Sequence, residues 1–152
     1  MRLKLALFAL LAAMSPAAAD VAIPDDTSVH FFMTETGALS PDLYGLKNPV
    51  VFNLSVGADG YQGGKFNGYL VKVRLKAKGE VFAEGKQATL VLRDRKKKRD
   101  VETRVISDIY VGSNGIAYYP ALMLKRDCGE FDLIVTGNGK RIHKPLQLAC
   151  GE

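Results

Sequence analysis

Between residues 69 and 78 apolar and charged side chains alternate without a break. Tyr69, Val71, Val73, Leu75 and Ala77 fall on one face of an extended chain, and Leu70, Lys72, Arg74, Lys76 and Lys78 on the other. Successive strand residues point to opposite faces, so the stretch reads as a half-buried strand with one apolar and one cationic side. Its apolar side needs a second sheet to cover it, which sets the fold class. Shorter segments of the same kind surround it. Residues 29–34 are aromatic and β-branched, and 50–56 alternate, with Val50, Phe52, Leu54 and Val56 on one face. Segments 88–93, 101–109, 116–124, 131–136 and 142–148 complete the set, with 81–83 as a short edge piece. Ile106 breaks the alternation of Val101, Thr103, Val105 and Ile109 and marks a bulge. Pro120 places its strand at an edge, because proline donates nothing to a ladder. Tyr118 and Tyr119 point to opposite faces, one to the core and one to solvent.

Turn chemistry punctuates the strands. Residues 20–27 form a loose leader, and 37–49 a long connection holding one helical turn at 40–44, with Ser40 as its cap and Pro41 first. Five glycines between 57 and 68 predict a loop whose rings, Tyr61 and Phe66, either lie on the sheet or meet a partner. Turns are expected at 78–80 and 84–86, and hairpins at 112–115 and 137–141. In the last hairpin two constraints conflict. Setting Cys128 opposite Cys150 puts Phe131, Leu133 and Val135 on a face with Gln147, Pro145 and His143. The hydrophobic pattern wants them with Leu146 and Leu148, so a bulge is expected near Gly129 or Pro145.

Seven or eight short strands predict an all-β, antiparallel β-sandwich, immunoglobulin-like in loose architecture, with a small closed β-barrel as the alternative. There is no Trp and so no Cys-Trp-Cys spacing. The expected organisation is a signal peptide over 1–19, a flexible leader over 20–27 and one domain over 28–152. Arg2 and Lys4 precede the apolar run 5–13, and Ala17-Ala18-Ala19 offers a cleavage site. The run is too short to anchor the chain in a bilayer, and charges or turn residues interrupt every later one. A periplasmic or secreted protein is therefore expected, with Cys128 and Cys150 joined in a disulfide.

Charge changes the picture more than composition does. Without Arg2 and Lys4 the chain holds 19 basic and 16 acidic residues, a net +3, but they are segregated. Residues 20–64 carry a net −5, residues 65–104 a net +8, and residues 105–152 balance. Local fields of this kind attract partners more than totals do.

Catalytic chemistry is thin. His30 and His143 are the only histidines, neither has metal-ligand spacing, and no nucleophile-elbow motif accompanies them. Asp127, Glu130 and Asp132 sit beside basic residues as solvated charges. The 60–65 glycine segment lacks a phosphate-cradling pattern, and the sequon at Asn53 carries weight only in a eukaryotic secretory route. The leading site is a basic constellation: Lys72, Arg74, Lys76 and Lys78 along one strand face, and Arg93, Arg95, Lys96, Lys97, Lys98 and Arg99 at a hairpin tip. Such rows bind polyanions by counterion release, and they also serve to keep strands from aggregating. The expected function is an exported, non-enzymatic binding module for an anionic partner: lipopolysaccharide, an acidic polysaccharide, a membrane surface or an acidic protein. Tyr61, Phe66, Tyr118 and Tyr119 are its candidate aromatic contacts. No cofactor or metal is expected, and export argues against nucleic acid. The alternative is a periplasmic assembly factor, chaperone or inhibitor that offers a strand edge to a client.

Overall fold

Alternation drives most of the chain into strands, and the computed structural model, which describes residues 22–52, 55–124 and 127–151, is all-β apart from one 3-10 turn. The strands are β1 (Ile23–Met33), β2 (Val50–Phe52), β3 (Ser55–Ala58), β4 (Tyr61–Lys76), β5 (Val81–Asp94), β6 (Arg99–Val111), β7 (Ile116–Met123), β8 (Gly129–Gly137) and β9 (Lys140–Cys150). They make one curled sheet, a half-barrel, in the order β1-β4-β3-β2-β9-β8-β5-β6, with β7 on the free edge of β4. No helix among the described residues is long and apolar enough to cross a membrane.

β4 is the longest strand and organises the rest. Its first residues pair with β3, and its second half lies between β1 and β7. Tyr69, Val71, Val73 and Leu75 are fully buried, as alternation requires. Phe31 and Phe66 pack on Tyr69 with ring centroids 5.3–5.8 Å apart. Across the interior lie Leu90 and Leu92 of β5, Ile109 of β6, Leu133 and Val135 of β8 and Leu146 and Leu148 of β9. Each such side chain contributes roughly 1.5–3 kcal/mol on burial.

Several expectations are corrected. The ladder is antiparallel except where β2 runs parallel to β9, with Val51 paired to Cys150. β1 begins at Ile23, so the expected leader is structured from that residue on. The single strand expected over 50–56 is two, because the chain reverses between Phe52 and Ser55, which pair with each other. The glycine-rich loop at 57–68 is mostly strand: Asp59 and Gly60 make a tight turn and β4 starts at Tyr61. The 84–86 turn is a bulge within a continuous β5, at Gly85 (φ +72°). Ile106 and Ile109 are both buried, so β6 does change phase between them, at Asp108 (φ +52°). The 3-10 turn Leu43–Gly45 is capped by Asp42, whereas Ser40 Oγ accepts from the Phe31 amide. The signal segment 1–19 and the sequon residues Asn53 and Leu54 lie outside the described residues.

The hydrophobic pattern decides the last hairpin. β8 and β9 pair without a register shift, Phe131 opposite Leu146 and Val135 opposite Ile142. Cys128 lies just beyond this ladder and is joined to Cys150. Gly129 (φ +143°) turns the chain there, so the accommodation sits at Gly129 and no bulge interrupts the strands.

Side chains cap the edges that the ladder leaves free. Along β1, Asp42 Oδ1 accepts from the Val29 amide, Ser40 Oγ accepts from the Phe31 amide, and His30 Nδ1 donates to the Ser40 carbonyl. Lys144 Nζ of β9 donates to Thr27 O and Asp26 Oδ1, both at 2.7 Å. Between β6 and β7 the Tyr119 hydroxyl accepts from the Tyr110 amide at 2.6 Å and donates to its carbonyl at 3.0 Å. Arg104 Nε donates to Leu122 O, and the Leu124 amide to Glu102 Oε1.

Candidate anion-binding surfaces

Strand alternation places Lys72, Arg74 and Lys76 on the outer face of β4, and register supplies their neighbours. Lys72 lies between Ser28 of β1 and Pro120 of β7, Arg74 between Asp26 and Tyr118, and Lys76 between Ile23 and Ile116. Arg74 is engaged: its Nη2 lies 2.7 Å from Asp25 Oδ2, and that bond holds the guanidinium more firmly charged. Among the described residues, Lys72, Lys76 and Lys78 form no ion pair. Lys78, expected on this strand face, lies in the bend after β4 ends at Lys76. Beside Lys72 and Lys76 the β7 flank is apolar and open, with Ile116, Leu122 and Tyr118 exposed, Tyr118 to 63%. The face is therefore a cationic row beside an apolar row, with Asp25 and Asp26 on the β1 side.

The second cluster is the β5–β6 tip, where residues 95–98 form the turn and Lys98 takes a positive φ. Half of its charges are spoken for. Arg93 Nε bonds Asp100 at 2.6 Å, Arg95 lies 3.6 Å from Asp132, and Lys97 lies 3.8 Å from Asp94. The partners' carboxyls show it: Arg93 holds Asp100 below the usual carboxylate range, and the Lys97 amide does the same for Asp94. Among the described residues, Lys96, Lys98 and Arg99 have no such partner and are exposed.

Topology keeps the two clusters apart. Lys76, Val81, Val111 and Ile116 gather at one end of the half-barrel, while the tip lies at the other, where Asp94 pairs with Phe131. β5 has 14 residues, so at about 3.3 Å per residue its ends are at most about 40 Å apart, less where the bulge at Gly85 kinks it. The Debye length is about 8 Å at physiological ionic strength, so the fields of the two clusters do not merge.

The aromatic candidates divide. Tyr118 is exposed on the cationic face, and Tyr119 packs on the core while its hydroxyl reaches β6. Phe66 is 1% exposed and belongs to the core, so it is corrected as a contact residue: its position in β4 falls on the inner face. Tyr61 is partly buried at the edge of an open groove lined also by Val50, Val56 and Gln62.

The histidines have structural partners. His143 Nε2 lies 2.9 Å from Asp132 Oδ1. His30 is buried, with Nδ1 on the Ser40 carbonyl and Nε2 2.9 Å from Ser28 Oγ. Because a carbonyl only accepts, Nδ1 carries a proton there, and Nε2 faces the Ser28 hydroxyl. That order resembles a nucleophile–base pair, but here it fastens the 40–42 segment along β1. Among the described residues no cluster of three or more His, Cys, Asp or Glu is placed to hold a metal ion.

Two features escape a reading by sequence. The β7 apolar row cannot be assigned to the cationic face without the β4–β7 register. Lys86 and Arg141 read only as turn residues along the chain, yet both line one notch, and no periodicity links positions so far apart. No protein-family model matches the chain, and no curated protein sequence matches it.

Proposed function

We propose that the chain is an exported, non-enzymatic binding module that engages an anionic amphiphile, lipopolysaccharide or an anionic membrane surface, through the outer face of β1, β4 and β7. One observation carries the reading: unpaired Lys72 and Lys76 stand next to exposed Ile116, Tyr118, Pro120 and Leu122. Phosphates would meet the lysines while acyl or ring carbons cover the apolar row. A purely acidic polysaccharide or an acidic protein would leave that row without a role. The β5–β6 tip adds a separate electrostatic contact at the far end through Lys96, Lys98 and Arg99. Export is supported by the apolar leader and by the Cys128–Cys150 disulfide, which suits an oxidising compartment. The mature chain is expected to begin at Asp20 or within a residue or two of it.

The test is charge reversal at each cluster. Lys72→Glu with Lys76→Glu should leave the melting temperature nearly unchanged, since exposed charges contribute within about half a kcal/mol. Binding to lipopolysaccharide and to phosphatidylglycerol vesicles should fall, and the loss should shrink as salt rises. Lys96→Glu with Lys98→Glu should chiefly reduce retention on heparin. Vesicle and lipopolysaccharide binding equal to wild type in the Lys72/Lys76 variant at low salt would refute the assignment. The strand-edge reading has less support, because side chains already occupy main-chain groups along β1, β6 and β7. A client strand would first have to displace them.

A further inference from the structure

The bulge in β5 creates a notch beside the β8–β9 turn. The last β5–β8 pair is Thr89 with Thr136, and beyond it β5 kinks through the bulge at Gly85 while β8 turns back into β9 at Asn138-Gly139. The bulged segment and this turn become two walls. They are tied together: Asn138 Nδ2 donates to Ala22 O at 2.6 Å and to Gln87 Oε1 at 3.4 Å, and Gln87 Nε2 donates to Glu84 O at 2.6 Å. At Gly137 the walls touch, since a Cβ there would lie 2.5 Å from the Gln87 carbonyl.

The resulting groove has a volume of about 440 Å³. Lys86, Lys140, Arg141, Thr89 and Thr136 are among its lining residues, and none of the lining residues is a carboxylate. Alternation along β9 puts Lys140 on the face opposite Arg141, so Lys86 and Arg141 are the cations assigned to the site. Thr89, Thr136 and Arg141 stand side by side across β5, β8 and β9. Among the described residues neither of these two cations is in an ion pair. Lys72, Lys76, Lys78, Lys96, Lys98 and Arg99 share this condition, whereas Arg74, Arg93, Arg95 and Arg104 each meet an acidic side chain. Like charges gathered without a counter-charge repel, and a dianion among them would turn that repulsion into several charge-assisted hydrogen bonds.

We infer that this notch is a binding site for a phosphate group, with Lys86 and Arg141 supplying charge and Thr89 and Thr136 donating hydroxyl bonds. Its lining residues belong to β5, β8, β9 and the β8–β9 turn, and none belongs to β1, β4 or β7. The phosphate could be carried by a soluble molecule or by a lipid head group, and the two probes below separate these sources.

The experiment is calorimetric titration of the full mature chain with inorganic pyrophosphate at low salt, alongside flotation with phosphatidic acid vesicles. Wild type should bind at least one probe saturably. Lys86→Ala with Arg141→Ala should weaken it by about tenfold or more, as removal of two charge-assisted donors requires. Thr136→Val should weaken it less, and Lys72→Glu with Lys76→Glu should leave pyrophosphate binding intact. Saturable pyrophosphate binding assigns a soluble phosphate, and notch-dependent binding to vesicles alone assigns a lipid-borne one. Lack of saturable binding to either probe, or equal binding by wild type and the folded Lys86/Arg141 variant, overturns the site. So does equal weakening by Lys96→Glu with Lys98→Glu, which would reduce the effect to net charge.

Discussion

Replacing Lys144 by methionine tests how β9 holds β1. The substitution keeps the stem and removes the ammonium that donates to Thr27 O and Asp26 Oδ1 and lies 5.0 Å from the Tyr44 ring centroid. Leaving the part-buried Thr27 carbonyl without this partner costs about 1–3 kcal/mol. The Asp26 pair adds less than about 1 kcal/mol, because Asp26 is 51% exposed and water screens it. The ring contact adds about 0.5–1 kcal/mol. These contacts share one ammonium and do not simply add, so the expected loss is about 2 kcal/mol. For a domain of this size that lowers Tm by roughly 8 °C. Part of the loss depends on pH. The hydrogen bond from Lys144 holds the Asp26 carboxyl below its ordinary value. A depressed carboxylate stabilises the fold fully above its unfolded pKa of about 3.9 and loses that effect as pH falls through the lower folded value. The gap between wild type and Lys144→Met, followed by circular dichroism, should be full at neutral pH and narrow on acidification below about pH 4. A variant melting within about a degree of wild type at neutral pH, or a gap that widens in acid, would refute the reasoning.

Three further substitutions probe the frame. Cys150→Ser opens a link between residues 22 apart, which should lower stability by roughly 3 kcal/mol in chemical denaturation; two titratable thiols in the folded, air-exposed wild type would contradict this. Gly68→Ala puts a Cβ 2.2 Å from the Met123 carbonyl oxygen at a φ of +157°. It should destabilise by on the order of 3 kcal/mol, and a near-neutral result would show that β4 and β7 are not this close. Phe66→Ala should cost about 3–5 kcal/mol, whereas Tyr118→Ala should change stability by less than about half a kcal/mol. The opposite ranking in urea melts would reverse the assignment of core and surface.

The period-two signal is strong enough to read where one face is wholly buried. Residues 69–76 behave as their alternation requires, Tyr118 and Tyr119 split between faces, and the 112–115 and 137–141 turns form at their Gly and Asn positions. Alternation misleads where a strand is too short to carry it. Residues 50–56 look continuous, yet Phe52 is exposed and Val51 buried because the chain reverses after three residues. Glycines mislead in the opposite direction. In 57–68 they permit close backbone approach within a strand, as at Gly63, where a Cβ would lie 2.6 Å from Val56 O. The basic residues are legible one by one, but their grouping is not. Whether two cationic segments share a surface depends on which strand ends adjoin, and that is a property of the sheet order.

The parallel contact between β2 and β9 makes the order of synthesis matter. β2 lies near the start of the domain and β9 is its last strand, so the sheet cannot be joined through β2 until the end of the chain is present. The second cysteine lies on β9 as well, and the covalent link waits for the same event. Contacts this distant in sequence form late, since loop closure must precede the gain from pairing. Until then β1 can pair with β4 and β5 with β6 and β8, but the sheet order stays open between β2 and β8. Locking comes last, and a truncation that removes only β9 should leave the other strands unable to lock at all.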